Sequence, residues 1–126
     1  MKQTLRLIAI LLLVFMAIPM MAQTETPEKE TKKAKVVVEN GQKKLVLDSG
    51  RKTNNSTIEL YSDTALWRIL DSLVTAPWGG NSVRVKDIKG YNVDIQKARI
   101  NNEIGVFFLS RGMMVAVTNN DLASLK

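Results

Sequence analysis

Ser62-Asp63-Thr64-Ala65-Leu66-Trp67-Arg68-Ile69-Leu70-Asp71-Ser72-Leu73-Val74 is the stretch on which the fold turns. Leu66, Ile69, Leu70, Leu73 and Val74 recur at the three-and-four spacing that lines one side of a helix. Trp67 widens that stripe, while Arg68, Asp71 and Ser72 fall on the opposite side. Ser62 or Asp63 can cap the first turn by accepting from its free backbone amides. Pro77, with Gly79 and Gly80 behind it, stops the helix.

On both sides of this helix the pattern is that of strands. Lys35–Glu39 and Lys44–Asp48 are β-branched and aliphatic runs about Asn40-Gly41, a hairpin signal. A two-residue Asn-Gly loop pairs Val38 with Lys43 and Val37 with Lys44. A four-residue loop over Asn40–Lys43 instead pairs Val38 with Leu45, Val37 with Val46, Val36 with Leu47 and Glu39 with Lys44. The second register matches apolar to apolar and acid to base on every rung, so it is the expected one. Thr57–Tyr61 alternates, with Ile58 and Leu60 on one face.

After the helix, Ser82–Lys89 and Tyr91–Gln96 also alternate, and Ala98 and Ile100 extend the second of them. Asn101-Asn102 turns the chain. Ile104–Leu109 and Met113–Thr118, about Ser110-Arg111-Gly112, do not alternate and are expected to be central strands buried on both faces. Asn119-Asn120-Asp121 opens a short terminal helix carrying Leu122 and Leu125. The expected fold is therefore α+β: a small antiparallel, mostly meandering sheet covered on one face by a single amphipathic helix.

The front of the chain differs in kind. Met1–Ala22 has Lys2 and Arg6, an apolar run from Leu7 broken only by Pro19, and a small residue at its end, which describes a secretory signal peptide. Met20 is larger than the side chain usual near such a cleavage site, and the competing reading is a retained membrane anchor. The apolar run is shorter than the ~20 residues that span a bilayer. Residues 23–35 are polar, alternately charged and nearly free of apolar side chains, so a disordered linker is expected there. The α+β domain then occupies 36–126.

Composition narrows the chemistry. The 126 residues include 18 Lys+Arg and 12 Asp+Glu, with no His and no Cys. Setting Lys2 and Arg6 aside leaves 16 basic residues against 12 acidic ones, a balance of +4. The bases are mixed with acids and not interleaved with aromatics, so no nucleic-acid partner is expected. Without Cys there is no disulfide, lipidated cysteine or thiolate site, and without His the commonest general base and metal ligand are gone. No cofactor and no metal are expected, and no enzyme activity.

Trp78, in Pro77-Trp78-Gly79-Gly80, is the leading contact candidate, because a loop aromatic can stack on a sugar ring or anchor a partner's side chain. It can equally fold back over the core beneath the helix end. Arg84 and Lys86, with Lys89, form a short basic stripe suited to an anionic ligand, or simply a solvated strand face. Arg111, in the Ser-Arg-Gly turn, joins these candidates for ligand or partner contact. Asp87, Asp94 and Glu103 are the carboxylates near turns, and Ser110 the hydroxyl, that a hydrolase would need, but no spacing supports one.

Two motif likenesses complete the sequence. Asp63-Thr64-Ala65 and Asp71-Ser72-Leu73 resemble the acceptor pattern for O-linked sugars on exported proteins of Bacteroides-type bacteria. Asp87-Ile88, Val93, Ser110-Arg111-Gly112 and Val115-Ala116-Val117-Thr118 resemble the end of the plug domain of TonB-dependent outer-membrane transporters. Here the gap before Ser110 is longer and that after Gly112 shorter, and the likeness covers only the last third of the sequence. The sequence thus points to an exported, periplasmic or secreted, non-enzymatic module of a bacterial cell envelope that recognises a partner protein or glycan. An accessory subunit of an outer-membrane assembly is the alternative, and a carboxylate- or serine-based hydrolase comes after both.

Overall fold

The computed structural model describes residues 26–52 and 55–126. The signal-peptide reading of Met1–Ala22 lies outside the described residues. Among the described residues, eight strands and two helices follow in order: β1 (Thr26–Glu30), β2 (Ala34–Glu39), β3 (Gln42–Asp48), β4 (Thr57–Tyr61), α1 (Thr64–Thr75), β5 (Ser82–Lys86), β6 (Asn92–Ile100), β7 (Glu103–Ser110), β8 (Met113–Thr118) and α2 (Asn119–Leu125). They form two antiparallel four-stranded meanders, β1-β2-β3-β4 and β5-β6-β7-β8, rather than one sheet under one helix. The α+β class stands, with strands dominant.

Both sheets share one core with both helices. Val36, Leu45, Leu47, Ile58 and Leu60 come from the first sheet, and Val93, Ile95, Val106, Phe108 and Val115 from the second. Leu66, Leu70 and Leu73 of α1 and Leu122 and Leu125 of α2 fill the space between. The helical stripe is as the sequence spacing predicts, with Trp67, Ile69 and Val74 packed at its margins. Asp63 is the cap: its Oδ1 accepts from Leu66 N–H at 2.9 Å. Ser62 instead accepts from the Trp67 indole N–H at 3.0 Å. The second helix is needed because an antiparallel sheet buries one face only against another layer, and one helix is too narrow to close two sheets.

The first hairpin takes the register not expected of it. Val36 pairs with Leu45, Val37 with Lys44, Val38 with Lys43 and Glu39 with Gln42, closing a two-residue loop. Asn40 and Gly41 sit at φ 52° and 76°, the left-handed pair whose twist suits a hairpin. Turn geometry outweighs rung-by-rung matching here, and little is lost. A shift of two residues leaves every side chain on its own face. Lys44 still reaches Glu39, now across a diagonal. Asn101-Asn102 and Arg111-Gly112 make tight turns with the same left-handed signs.

Two other expectations are corrected. Thr26–Glu30, inside the stretch expected to be a disordered linker, runs as β1 along β2. All five residues are exposed, so this strand adds backbone hydrogen bonds and not core, which is why hydropathy does not reveal it. β7 and β8 are not buried on both faces. Val106, Phe108, Val115 and Val117 face the core, while Phe107, Leu109 and Ala116 are half-buried and Met114 is 54% exposed. β8 is an edge strand, not a central one. Four strands leave no third layer among the described residues to cover that outer face.

Candidate functional site

The loop after α1 is shaped by residues that forbid a longer helix. The Ala76 N–H donates back to Ser72 C=O at 3.0 Å, and Ala76 is already extended (φ −66°, ψ 153°), as a residue before proline prefers. Gly79 and Gly80 then bend the chain into β5 with φ of 143° and 83°, backbone that side chains rarely allow. Trp78 stands at the apex, 51% exposed.

Two cations meet its ring. Lys97 Nζ lies 4.6 Å from the ring centroid and Arg99 Cζ 5.6 Å, both within cation–π range. They alternate along β6 and so share a strand face. Lys97 Nζ also donates to the Ala76 carbonyl, tying the loop to β6. Neither cation has a carboxylate partner among the described residues. Beside the ring, Pro77, Gly80, Asn81, Ser82 and Gln96 border a shallow cleft of about 150 Å³.

Ser82 and Gln96 form a rung on the outer face of the second sheet, and the next rung on that face is Arg84 opposite Asp94. Arg84 binds Asp94 through two bonds, Nε to Oδ1 at 2.7 Å and Nη2 to Oδ2 at 3.3 Å. The hydrogen bond from Arg84 holds the Asp94 carboxyl below the ordinary aspartate range. The same bond raises the Arg84 guanidinium above its usual value. Lys86 follows on the same face and is exposed. Lys89 lies in the β5–β6 turn, 3.8 Å from Glu59. Of the basic stripe, Lys86 is the member without an ion pair among the described residues.

Arg111 is placed differently. Its guanidinium turns inward, with the side chain 21% exposed. Nη2 donates to Thr57 C=O at 2.8 Å and lies 3.9 Å from Asp87 Oδ2. The guanidinium carbon sits 4.5 Å over the Tyr91 ring, and Nε is buried with no partner. Asp87, its side chain 2% exposed, accepts at Oδ1 from the amides of Lys89 (2.9 Å) and Tyr91 (2.8 Å). This cluster pins the β5–β6 and β7–β8 turns against β4.

The carboxylates and the hydroxyl lie in different places. Asp87 is buried in a turn, Asp94 is held by Arg84 on the outer face, and Glu103 accepts from Asn120 Nδ2 at 3.1 Å at the far end of β7. Ser110 Oγ donates to Asn92 C=O at 2.8 Å. No group of three potential metal ligands occurs among the described residues.

A larger cavity, about 490 Å³, opens between β1, β3, the start of α1 and the end of α2. Trp67, Val36 and Leu125 line it, and sequence reading misses it because those residues come from distant segments. Its rim charges bridge one another: Glu28 to Lys43 at 3.5 Å and Asp71 to Lys126 at 2.6 Å. The Trp67 N–H is already bonded to Ser62. The Trp78 cleft, smaller, keeps an exposed aromatic ring and two cations without a carboxylate partner among the described residues. Lys97 and Arg99 are the members that sequence reading misses; their i, i+2 spacing on an alternating strand is the signal that could have found them.

No family model matches the chain, and no curated protein or solved structure matches it. Among the described residues no helix is long and apolar enough to cross a membrane.

Proposed function

We propose that this protein is a non-enzymatic, exported module of a bacterial cell envelope that binds an acidic glycan at the Trp78 loop. One observation carries the reading: a half-exposed indole flanked by Lys97 and Arg99 beside a cleft the size of a single sugar residue. The open part of the ring offers a stacking platform for the apolar face of a pyranose. The two cations attract a carboxylate, sulfate or phosphate on the same or the neighbouring residue. Asn81 and Gln96 border the cleft with amides that can donate and accept at sugar hydroxyls. Lys86 extends the positive field along β5 for a longer anionic strand. The absence of His and Cys from the sequence and the dispersed carboxylates support binding over catalysis.

Titration with polygalacturonate, alginate and neutral dextran tests the proposal, followed by indole fluorescence and calorimetry. The acidic polymers are expected to bind and dextran not to. Trp78→Ala should weaken binding at least tenfold, the double change Lys97→Ala with Arg99→Ala likewise, and neither should alter circular dichroism. Equal binding by wild type and Trp78→Ala refutes the site. Trp78-dependent capture of an envelope protein, with no glycan binding, replaces the glycan with a protein ligand. Mass analysis of the native N-terminus tests export separately: processing after Ala22 leaves Gln23 first, and an intact Met1 contradicts it.

A further inference from the structure

A sheet edge is a row of unpaired backbone donors and acceptors, and proteins guard such edges with proline, charge, bulges or a covering segment. The two sheets have four edges, and three carry such guards. β1 has Pro27, the charged run Glu28-Lys29-Glu30 and a register shift between Pro27 and Lys29. β4 is covered: Thr57 C=O accepts from Arg111 Nη2 at 2.8 Å and Glu59 C=O from Ile88 N–H at 3.0 Å. β5 presents Arg84 and Lys86.

β8 has none of these. Met113-Met114-Val115-Ala116-Val117-Thr118 carries no charge and no proline, and its register with β7 runs unbroken over six rungs. No charged residue occurs in the sequence between Arg111 and Asp121. Beyond the β7 ladder and α2, these residues make no backbone–backbone hydrogen bond to another described residue. Next to the edge, Met114, Ala116, Phe107 and Leu109 form an apolar stripe on the uncovered outer face.

We propose that β8 pairs antiparallel with β8 of a second copy of this chain, joining two four-stranded sheets into one of eight strands about a two-fold axis. A second copy fits for three reasons. Pairing centred on Val115 sets Met113 opposite Val117 on the core side and Met114 opposite Ala116 on the outer side. Every rung from Met113 to Val117 is then apolar, each methionine meets a smaller side chain, Val115 meets its own copy, and faces are conserved as antiparallel pairing requires.

Charge favours the same arrangement. At the turn end of β8, Arg51 Nη2 donates to Gly112 C=O at 2.6 Å. At the other end lie Glu103, bonded to Asn120, and Asp121 in the first turn of α2. Antiparallel pairing brings each Arg51 to the acidic end of the other copy, twice by symmetry. Elsewhere the net positive charge of the chain opposes self-association, and the seam itself is neutral. The area sets the strength: one strand and one stripe fall short of the ~800 Å² per partner of a standard interface. The dimer is therefore weak, with a dissociation constant on the order of 10 μM.

Sedimentation velocity on the purified native protein, from about 1 μM to about 1 mM, tests this. Wild type is expected to pass from monomer to dimer across that range. Ala116→Lys places on the outer face the guard that β8 lacks, and should raise the dissociation constant at least tenfold. Arg51→Glu leaves the strand untouched and should raise it about threefold, the charge-dependent part. The chain has no cysteine of its own, so disulfides report the register cleanly. Met114→Cys mixed with Ala116→Cys should cross-link, and neither should do so efficiently alone. A wild type monomeric at the highest concentration, an Ala116→Lys dimer as tight as wild type, or a mixture that does not cross-link overturns the pairing.

Discussion

Replacing Asp87 should cost this fold more than any surface ion pair could. The carboxylate is buried in the β5–β6 turn and holds two backbone amides, those of Lys89 and Tyr91, at 2.9 and 2.8 Å. A hydrogen bond to a charged acceptor contributes roughly 1.5–3 kcal/mol, and a buried amide stripped of its acceptor bears the desolvation penalty in full. Asp87→Ala also leaves the Arg111 guanidinium half-enclosed, with a buried Nε that already lacks a partner. Breaking a fully buried pair costs about 3–5 kcal/mol. That figure is discounted here, because the pair is 3.9 Å apart and Arg111 is 21% exposed.

Together these give a loss of about 3 kcal/mol, a large share of the ~5–15 kcal/mol that holds a domain folded. For about 100 residues this lowers Tm by roughly 12–24 °C. Asp87→Asn keeps an acceptor for the amides and loses only the charge, so about half the penalty is expected. Urea unfolding followed by fluorescence of Trp67 and Trp78, with a double-mutant cycle against Arg111→Met, measures both parts. An Asp87→Ala protein within about 0.5 kcal/mol of wild type would refute the reasoning, since that is the range of an ordinary surface change.

Two further outcomes are expected. Gly105→Ala should destabilise by about 1–3 kcal/mol, because a Cβ there would stand 2.4 Å from Val117 C=O and 2.9 Å from Thr118 Cα, both backbone. Thermal unfolding checks this, and the lost pairing should appear as faster amide exchange in β8. Asp94 should titrate below the ordinary aspartate range, owing to its hydrogen bond from Arg84. Its contribution to stability is present above the ordinary carboxylate value and disappears as pH falls through the depressed one. Carboxyl carbon shifts across an acid titration should show Asp94 returning toward the ordinary range in Arg84→Ala.

The helix was legible because its evidence is local. Six residues between Leu66 and Val74 fall on one stripe, Asp63 stands where a cap must, and Pro77 closes the segment, so no distant contact is needed to read it. The strands β2 to β8 were legible for the same reason, through alternation or β-branched runs between turn residues. β1 was not, because its residues bury nothing. The Trp78 loop could be singled out from its glycines, but its cations could not, since Lys97 and Arg99 lie about twenty residues away on β6.

What the chain by itself determined is therefore the kind and order of its elements: the α1 stripe, the Asn-Gly, Asn-Asn and Arg-Gly turns, and the lack of imidazole and thiol. Tertiary structure decided how those elements share a core: two sheets of four strands in place of one, with a second helix sealing the gap. It also turned Arg111 inward to Asp87 and Thr57, and left one face of β7 and β8 open. The physical reason is reach. Periodicity and turn chemistry act over a few residues, while sheet membership, ion-pair choice and face burial depend on which distant segments arrive alongside.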